Sequence, residues 1–299
     1  MNLKIIKYKN WKIPLFVQDN KSDSTLIAIH GINSSSDFIV PISEYKNKFN
    51  IIGINLPGSK YFLELNKIKH EDVKMDLWIE ITNYVINKVK TKHNFLIAHS
   101  MSGGVACKVG KINKLEHIFF LATIHPNLAE SKVVKLFSSI TVEPKGKIKT
   151  TLNKGIKKGL DFFQKREPWI APFSDEKSVW ANLIKENVLD QEKLLSLNDD
   201  YVSLVKKSTL IVGAFDKVIN TEKFVEYAYQ IEAPVYIIGT GHSPIWYNTR
   251  DFYLFFNKRI IGKKRFLFNG LISSLDSEYK SNVNDQSEEE GLLVNSITK

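Results

Sequence analysis

Residues 94–110, NFLIAHSMSGGVACKVG, are the stretch of sequence that decides the fold. The run 95–98 is apolar and lacks polar alternation, which is typical of a central strand covered on both faces of a sheet. Small residues then surround Ser100: Ala98, Ser102, Gly103 and Gly104. Because small side chains allow a strand to reverse abruptly into a helix, the segment predicts a strand, a sharp turn that presents the Ser100 hydroxyl above the sheet, and a helix.

Two positions of this turn depart from G-x-S-x-G, the usual pattern of a nucleophile elbow. Ala98 and Ser102 stand where that pattern has glycines. Both are small enough to keep the predicted turn, so we expect Ser102→Gly to preserve or raise activity if Ser100 is a nucleophile. Serine and glycine also cluster in ordinary loops, and the rest of the chain decides between these interpretations.

The composition indicates a globular chain of 299 residues, with one large core plus an insertion or two modest domains. The N-terminal segment is interrupted by lysines, so no signal-peptide core is predicted, and no apolar run approaches membrane-spanning length. Cys107 is the only cysteine, which excludes an intrachain disulfide and a thiolate metal cluster. No His, Cys or carboxylate cluster has metal-ligand spacing. We therefore expect a cytoplasmic protein without metal or other cofactor.

The net charge of +10 raises the question of a nucleic-acid partner. The tail, residues 276–299, is acidic, and the positive charge elsewhere is mostly dispersed lysine. Phosphate-reading surfaces typically concentrate arginine and aromatic residues in a patch, and this chain has few arginines. No nucleic-acid partner is predicted, and no oligomeric state.

Short apolar strands alternate with helical patterns along most of the chain. After a strand pair at 3–8 and 12–17, buried strands are predicted at 25–30, 49–56, 94–98, 115–123, 208–216 and 233–240. Helices are predicted at 72–89, after the Ser100 turn, at 221–231 and at 248–260. This alternation favours an α/β fold with a mostly parallel, doubly wound sheet.

The alternation stops between residues 127 and 206, where only helical segments are predicted: 128–140, 147–163, 175–188 and 191–206. We interpret this block as a helical cap inserted into a core of residues 1–126 and 207–268. Residues 269–299 are polar, acidic and without periodicity, which predicts a flexible tail.

Four predicted strands end at groups with useful chemistry: Gly31-Ile32, Ser100, Asp216 and His242. Ligands of open α/β sheets bind beyond the carboxyl ends of the strands, so these groups are expected to converge. A serine nucleophile needs an imidazole to accept its proton, and the imidazole needs a carboxylate to hold its tautomer. The backbone amides of Ile32 and Met101 would be the donors to an oxyanion.

The chain resembles the α/β-hydrolases with a helical cap over about residues 1–262. The resemblance rests on HG at 30–31, AHSMSGG at 98–104, GAFDKV at 213–218 and GTGHSP at 239–244. It implies acyl transfer to water, with Ser100 as the nucleophile, His242 as the base and Asp216 as the carboxylate that orients His242. The implied activity is that of a serine esterase or lipase-like enzyme acting on a small-molecule carboxylic ester or other acyl substrate, in lipid metabolism for example.

Two alternatives to an esterase remain. An aminopeptidase or other amide or thioester hydrolase of the same fold is one, and a peptidase would need a cap carboxylate such as Glu167 or Glu176 to bind an amine. A binding protein without catalytic activity on the same scaffold is the other.

Other titratable residues have competing interpretations. His30 is more typical of a loop-orienting histidine than of a base, and His99 is expected to pack under the turn. His125 either lines the pocket or packs in the core. Asp199 and Asp200 are weaker candidates for the triad acid, because with Asn198 they suit the start of a helix.

The predicted cap gives two hints about substrates. Its aromatic residues either line an apolar acyl pocket or pack the cap onto the sheet: Phe162, Phe163, Trp169, Phe173 and Trp180. Residues 147–163 form a basic amphipathic pattern, which indicates either a solvated lysine face or weak contact with an anionic membrane surface.

Overall fold

The computed structural model describes residues 1–131, 134 and 178–262. Its eight strands are β1 (Asn2–Tyr8), β2 (Trp11–Gln18), β3 (Ser24–Ile29), β4 (Asn50–Ile54), β5 (His93–His99), β6 (His117–Leu121), β7 (Ser208–Gly213) and β8 (Val235–Ile238). They form one sheet in the order β1-β2-β4-β3-β5-β6-β7-β8. Strands β1 and β2 pair antiparallel with their neighbours, and all pairs from β4 to β8 are parallel.

The described α-helices are α1 (Lys60–Leu65), α2 (Met75–Lys88), α3 (Gly103–Ile112), α4 (Ala181–Ile184), α5 (Gln191–Leu204), α6 (Thr221–Gln230), α7 (Pro244–Tyr247) and α8 (Thr249–Phe256). Tighter 3₁₀ turns are Ser36–Glu44, His70–Asp72, Ser100–Ser102, Pro126–Glu130 and Val205–Lys207, and two wider π turns are Lys185–Leu189 and Asn257–Ile261. Two apolar clusters cover the two faces of the sheet. The predicted doubly wound α/β architecture is therefore confirmed.

The central strands are as buried as their apolar runs predict. Every residue of β3 and of β7 is buried. In the register of the parallel sheet, Ile29 at the end of β3 lies opposite Ala98 near the end of β5. The carboxyl ends of these strands therefore reach the same edge of the sheet, where the predicted functional groups follow.

Helix α2 starts later than predicted, and its buried face includes a tryptophan. It begins at Met75 rather than at residue 72, because residues His70–Asp72 form a separate 3₁₀ turn. Trp78 of this helix is fully buried, and its Nε1–H donates to Pro57 O at 2.9 Å. Trp78 thus connects the buried face of the helix to the loop after β4.

The predicted cap is described only in part. The described residues of the block 127–206 include helical turns and no strand. Several parts of the predicted cap lie outside the described residues: the basic pattern at 147–163, the aromatic residues Phe162, Phe163, Trp169 and Phe173, and the two acids Glu167 and Glu176. So does the predicted tail at 269–299.

Within the ranges 1–131 and 178–262, no helix combines the length and the apolar character needed to cross a membrane.

Candidate active site

The turn after β5 has the strained geometry of a nucleophile elbow. Ser100 has φ of +58°, in the left-handed region that non-glycine residues seldom adopt, and α3 begins three residues later at Gly103. The Ile124 N–H donates to Ser100 O at 3.1 Å, which anchors the strained peptide to the segment after β6. Ser100 is 6% exposed, so its hydroxyl lies at the floor of the site.

The loop after β3 lies directly against this turn. A Cβ atom built on Gly31 would lie 2.5 Å from Ser100 Cβ and 3.1 Å from His99 O. Only a glycine leaves room for this approach. Gly31 therefore allows the Ile32 backbone to lie beside the Ser100 turn.

Ser100, His242 and Asp216 form one hydrogen-bonded chain. His242 Nε2 lies 3.0 Å from Ser100 Oγ, and His242 Nδ1 lies 2.8 Å from Asp216 Oδ2. A carboxylate can only accept, so Nδ1 carries the proton and Nε2 keeps a lone pair towards the Ser100 hydroxyl. The structure thus brings together three side chains that are widely separated in sequence.

The Asp216 carboxylate is buried and held as an anion. Its side chain has no exposed area, and Oδ1 accepts from the N–H groups of Val218 and Ile219 at 2.9 and 3.0 Å. Burial by itself would raise the pKa of Asp216, but the His242 ring and these hydrogen bonds together lower it below its ordinary value. A buried carboxylate hydrogen-bonded to Nδ1 holds the His242 ring in one orientation.

The predicted oxyanion donors lie on the two adjoining loops. Met101 is buried in the first turn after Ser100, where helix-start amides lack intrahelical partners. Ile32 is half-buried, and its N–H makes no hydrogen bond to a described residue. Both amides therefore belong to the segments that Gly31 brings together.

His99 has a contact that the sequence interpretation missed. It was expected to pack under the turn, but its Nε2 lies 2.8 Å from His242 O and its ring centroid lies 4.9 Å from that of His242. A carbonyl accepts only, so Nε2–H is the donor. Burial, assisted by the nearby His242, lowers the pKa of His99 to about 3, so the ring is neutral. His99 thereby fixes the backbone of the predicted base.

His30 orients the loop, as its position at a strand end predicts. The Leu56 N–H donates to His30 Nε2 at 2.9 Å, so the proton is on Nδ1, which lies 2.6 Å from Gly31 O. Its ring packs edge-on against Trp78 and Trp180. Burial lowers the pKa of His30 to about 4. These contacts occupy both ring nitrogens and leave none for a base.

His125 packs in the core and does not line a pocket. It is fully buried, its ring lies edge-on to Phe224, and its Nε2 lies 3.1 Å from Ile219 O. Burial lowers its pKa to about 4. Since Ile219 also donates to Asp216, His125 supports the loop that holds the predicted acid.

The alternative acids are excluded by position. Helix α5 is capped by Asp190, whose side chain accepts from Lys193 N, so Asp199 and Asp200 lie in the helix interior and the predicted helix start there is wrong. Asp200 forms ion pairs with Lys108 and Lys111 at 2.6 and 2.9 Å. Burial tends to raise the pKa of Asp200, and these two lysines lower it below the ordinary value.

Neither a metal centre nor a thiol nucleophile is formed by the residues in ranges 1–131 and 178–262. No group of three or more His, Cys, Asp or Glu side chains there is placed to hold a metal ion. Cys107 is fully buried in α3, and burial raises the pKa of its thiol. A protonated, inaccessible thiol does not compete with Ser100 as a nucleophile.

Comparison with known proteins gives the fold class. The structure resembles a proline iminopeptidase from Mycobacterium smegmatis (TM-score 0.59, 10% identity), covering 87% of this chain and 98% of that one. It also resembles a thioesterase domain from the curacin biosynthetic pathway (TM-score 0.57, 12% identity), covering 87% of this chain and 99% of that one. A third similar structure is an N-acyl homoserine lactonase with bound N-hexanoyl homoserine (TM-score 0.58, 12% identity), covering 87% of this chain and 96% of that one.

The chain matches no protein-family model and no curated protein sequence. At 10–12% identity the structural likeness shows the fold alone. The chain has the α/β-hydrolase fold.

Proposed function

We propose that the protein is a serine hydrolase that cleaves carboxylic esters. The observation that carries the proposal is the hydrogen-bonded chain from Ser100 Oγ through His242 to the buried Asp216 carboxylate, at 3.0 and 2.8 Å. These distances lie within the range expected of a nucleophile, its general base and the group that orients the base. The strained φ of Ser100 supports the same assignment, because strain at a turn is tolerated where the surrounding packing maintains it.

In the proposed reaction, Ser100 Oγ attacks the ester carbonyl carbon while His242 Nε2 takes the hydroxyl proton. The new C–O bond moves the carbonyl electrons onto oxygen, and the Ile32 and Met101 amides stabilise that oxyanion by about 3 kcal/mol for each donor. The tetrahedral intermediate collapses, the alkoxide leaves with the proton from His242, and Ser100 holds the acyl group. Water then attacks with His242 as base, which releases the acid and restores the hydroxyl.

The proposed substrate is a small-molecule acyl compound, and no cofactor takes part. A lactonase and a thioesterase domain among the similar structures act on acyl carbonyls, which supports this class of substrate. We propose an ester rather than an amide because an alkoxide is a better leaving group than an amine, so its acyl–enzyme forms more readily on Ser100.

Hydrolysis of two substrate series tests this proposal. Wild type should hydrolyse p-nitrophenyl esters from acetate to decanoate faster than aminoacyl p-nitroanilides, and Ser100→Ala should lose at least about 10³-fold in kcat while keeping the Tm of wild type. His242→Ala should lose activity similarly. Faster cleavage of the anilides than of the esters would indicate an aminopeptidase rather than an esterase. A folded wild type that turns over neither series would contradict the enzyme assignment.

A further inference from the structure

The Ser102 hydroxyl joins the ends of two strands. Ser102 is fully buried, and its Oγ lies 2.8 Å from His99 O and 3.0 Å from Ile29 O. Both partners are carbonyls, so the hydroxyl is the donor and its single proton is shared between them. Buried carbonyls need a donor, because leaving one without a partner costs about 1 to 3 kcal/mol.

These two carbonyls stand where β3 and β5 leave the sheet. The ladder between the strands ends at the pair Ile29 and Ala98, and His99 is the next residue of β5. Beyond that pair, the two backbones separate into the loop at Gly31 and the turn at Ser100. Ser102 therefore continues the connection between the strands past the last pair of the ladder.

We propose that Ser102 is a positioning residue that sets the spacing between the two oxyanion donors, the Ile32 and Met101 amides. Ile29 lies three residues before Ile32, and His99 lies two residues before Met101. A change in the distance between Ile29 and His99 displaces one donor relative to the other. This inference rests on the proposed hydrolase function and deepens it.

The backbone at Ser102 removes the argument for a glycine there. Its φ and ψ are −69° and −1°, an ordinary right-handed conformation, so Ser102→Gly relieves no strain. The substitution would remove the hydroxyl, and with it the hydrogen bonds to the Ile29 and His99 carbonyls. We therefore expect Ser102→Gly to lose activity, which is the opposite of the sequence-based expectation.

Steady-state kinetics of Ser102→Ala and Ser102→Gly on the best ester test the proposal. We expect kcat to fall about tenfold or more with KM within about twofold of wild type, because an oxyanion donor acts on the transition state rather than on the bound ester. Binding of a trifluoromethyl ketone, whose adduct with Ser100 carries an oxyanion, should weaken in proportion to kcat/KM.

Ser208→Ala is the matched control. Ser208 is a buried serine whose Oγ donates to Val205 O, but it lies at the opposite, amino end of β7. It should lower the Tm without changing kcat. If Ser102→Ala keeps the kcat of wild type, or if Ser208→Ala loses as much kcat as Ser102→Ala, the proposal is wrong.

Ser102→Cys keeps the test decisive if the smaller variants do not fold. Its thiol stays beside both carbonyls, but it is larger than the hydroxyl and donates only weakly, so kcat should fall severalfold in the folded variant. An unchanged kcat would overturn the proposal. Wild type that turns over no ester would instead contradict the hydrolase function itself, so the two failures are distinguishable.

Discussion

The candidate site has two halves. The closed half, on the loops after β3 and β5, is buried, whereas the open half, on the loops after β7 and β8, borders solvent. Ser100 is 6% exposed, and Gly31 and Ser102 are buried beside it. On the other half, Phe215 directly before Asp216 is 68% exposed, and Tyr247 in the helix after His242 is 76% exposed. The first half carries the proposed nucleophile, and the second carries the proposed base and the carboxylate that orients it.

The difference shows how each half keeps its geometry. In the closed half, positions are set by contact between elements: Gly31 against Ser100, and Ser102 between two strand ends. In the open half, the Asp216 carboxylate is held by amides two and three residues along its own loop. We therefore expect the closed half to tolerate almost no added volume and the rim of the open half to tolerate much more.

The largest expected effect comes from adding one methyl group to each half. Gly31→Ala places a Cβ 2.5 Å from Ser100 Cβ, whereas a Cβ on Gly241 meets nothing within 4 Å. We expect Gly31→Ala to lose about 1 to 3 kcal/mol of unfolding free energy and at least about 100-fold in kcat/KM. Gly241→Ala should stay within about twofold of wild type in activity. Denaturant unfolding and ester kinetics measure both, and equal tolerance in the two variants would remove the distinction between the halves.

A smaller effect is expected where His99 of the closed half donates to the backbone of His242. His99→Phe keeps a ring beside Phe38 and His242 but loses the donor to His242 O. We expect kcat to fall about 10- to 30-fold, since the lost hydrogen bond leaves the base less well fixed. His99→Gln can restore a donor and should recover part of the loss. Full activity in His99→Phe would show that the halves do not depend on this bond.

His125 tests the buried support of the open half through pH. Its folded pKa of about 4 lies below the ordinary 6.5, so between these values the unfolded chain binds one more proton than the folded chain. The contribution of His125 to the free energy of unfolding is therefore fully present above about pH 6.5. It falls by about 1 kcal/mol per pH unit as the pH decreases towards 4. His125→Gln, which can keep a donor to Ile219 O, should show a correspondingly shallower decrease. Equal slopes in chemical unfolding from pH 7 to 4.5 would contradict the buried, neutral state.

The smallest effect is expected at Tyr247, on the solvent-exposed rim of the open half. Tyr247→Ala should change the unfolding free energy by less than about 0.5 kcal/mol, as is usual for an exposed side chain. The KM of long-chain esters should rise severalfold, while the KM of acetate stays unchanged, because only a long acyl group reaches the rim. Tyr229→Ala, at a 56% exposed tyrosine on α6, is the control and should change neither. An equal rise in KM for all chain lengths would exclude a rim contact.

Sequence patterns predicted the sheet and the three side chains of the hydrogen-bonded chain because each depends on local signals. Apolar runs gave the strands. Ser100 directly follows β5, and Asp216 and His242 lie in the short loops that follow β7 and β8. The predicted bounds extend beyond the ends of β3, β4, β6, β7 and β8, because most residues at the strand exits are still apolar or small although they have already left the sheet.

What the sequence did not predict are hydrogen bonds from side chains to backbone carbonyls of distant segments. Ser102 bonds to a carbonyl 73 residues away, His99 to one 143 residues away, and His125 to one 94 residues away. No periodicity encodes such pairs. Their one available signal was a polar residue within an otherwise apolar or small-residue segment, which is where a buried polar group needs a partner.

The central claim is that Ser100 is an activated nucleophile, and a fluorophosphonate probe tests it most directly. The probe forms a stable phosphonyl ester only with a serine whose proton is taken by a neighbouring base. Intact-mass and peptide mass spectrometry should show one adduct per chain at Ser100, with none in Ser100→Ala and much slower labelling in His242→Ala. Failure of folded wild type to label, or an adduct at a different serine, would contradict the account.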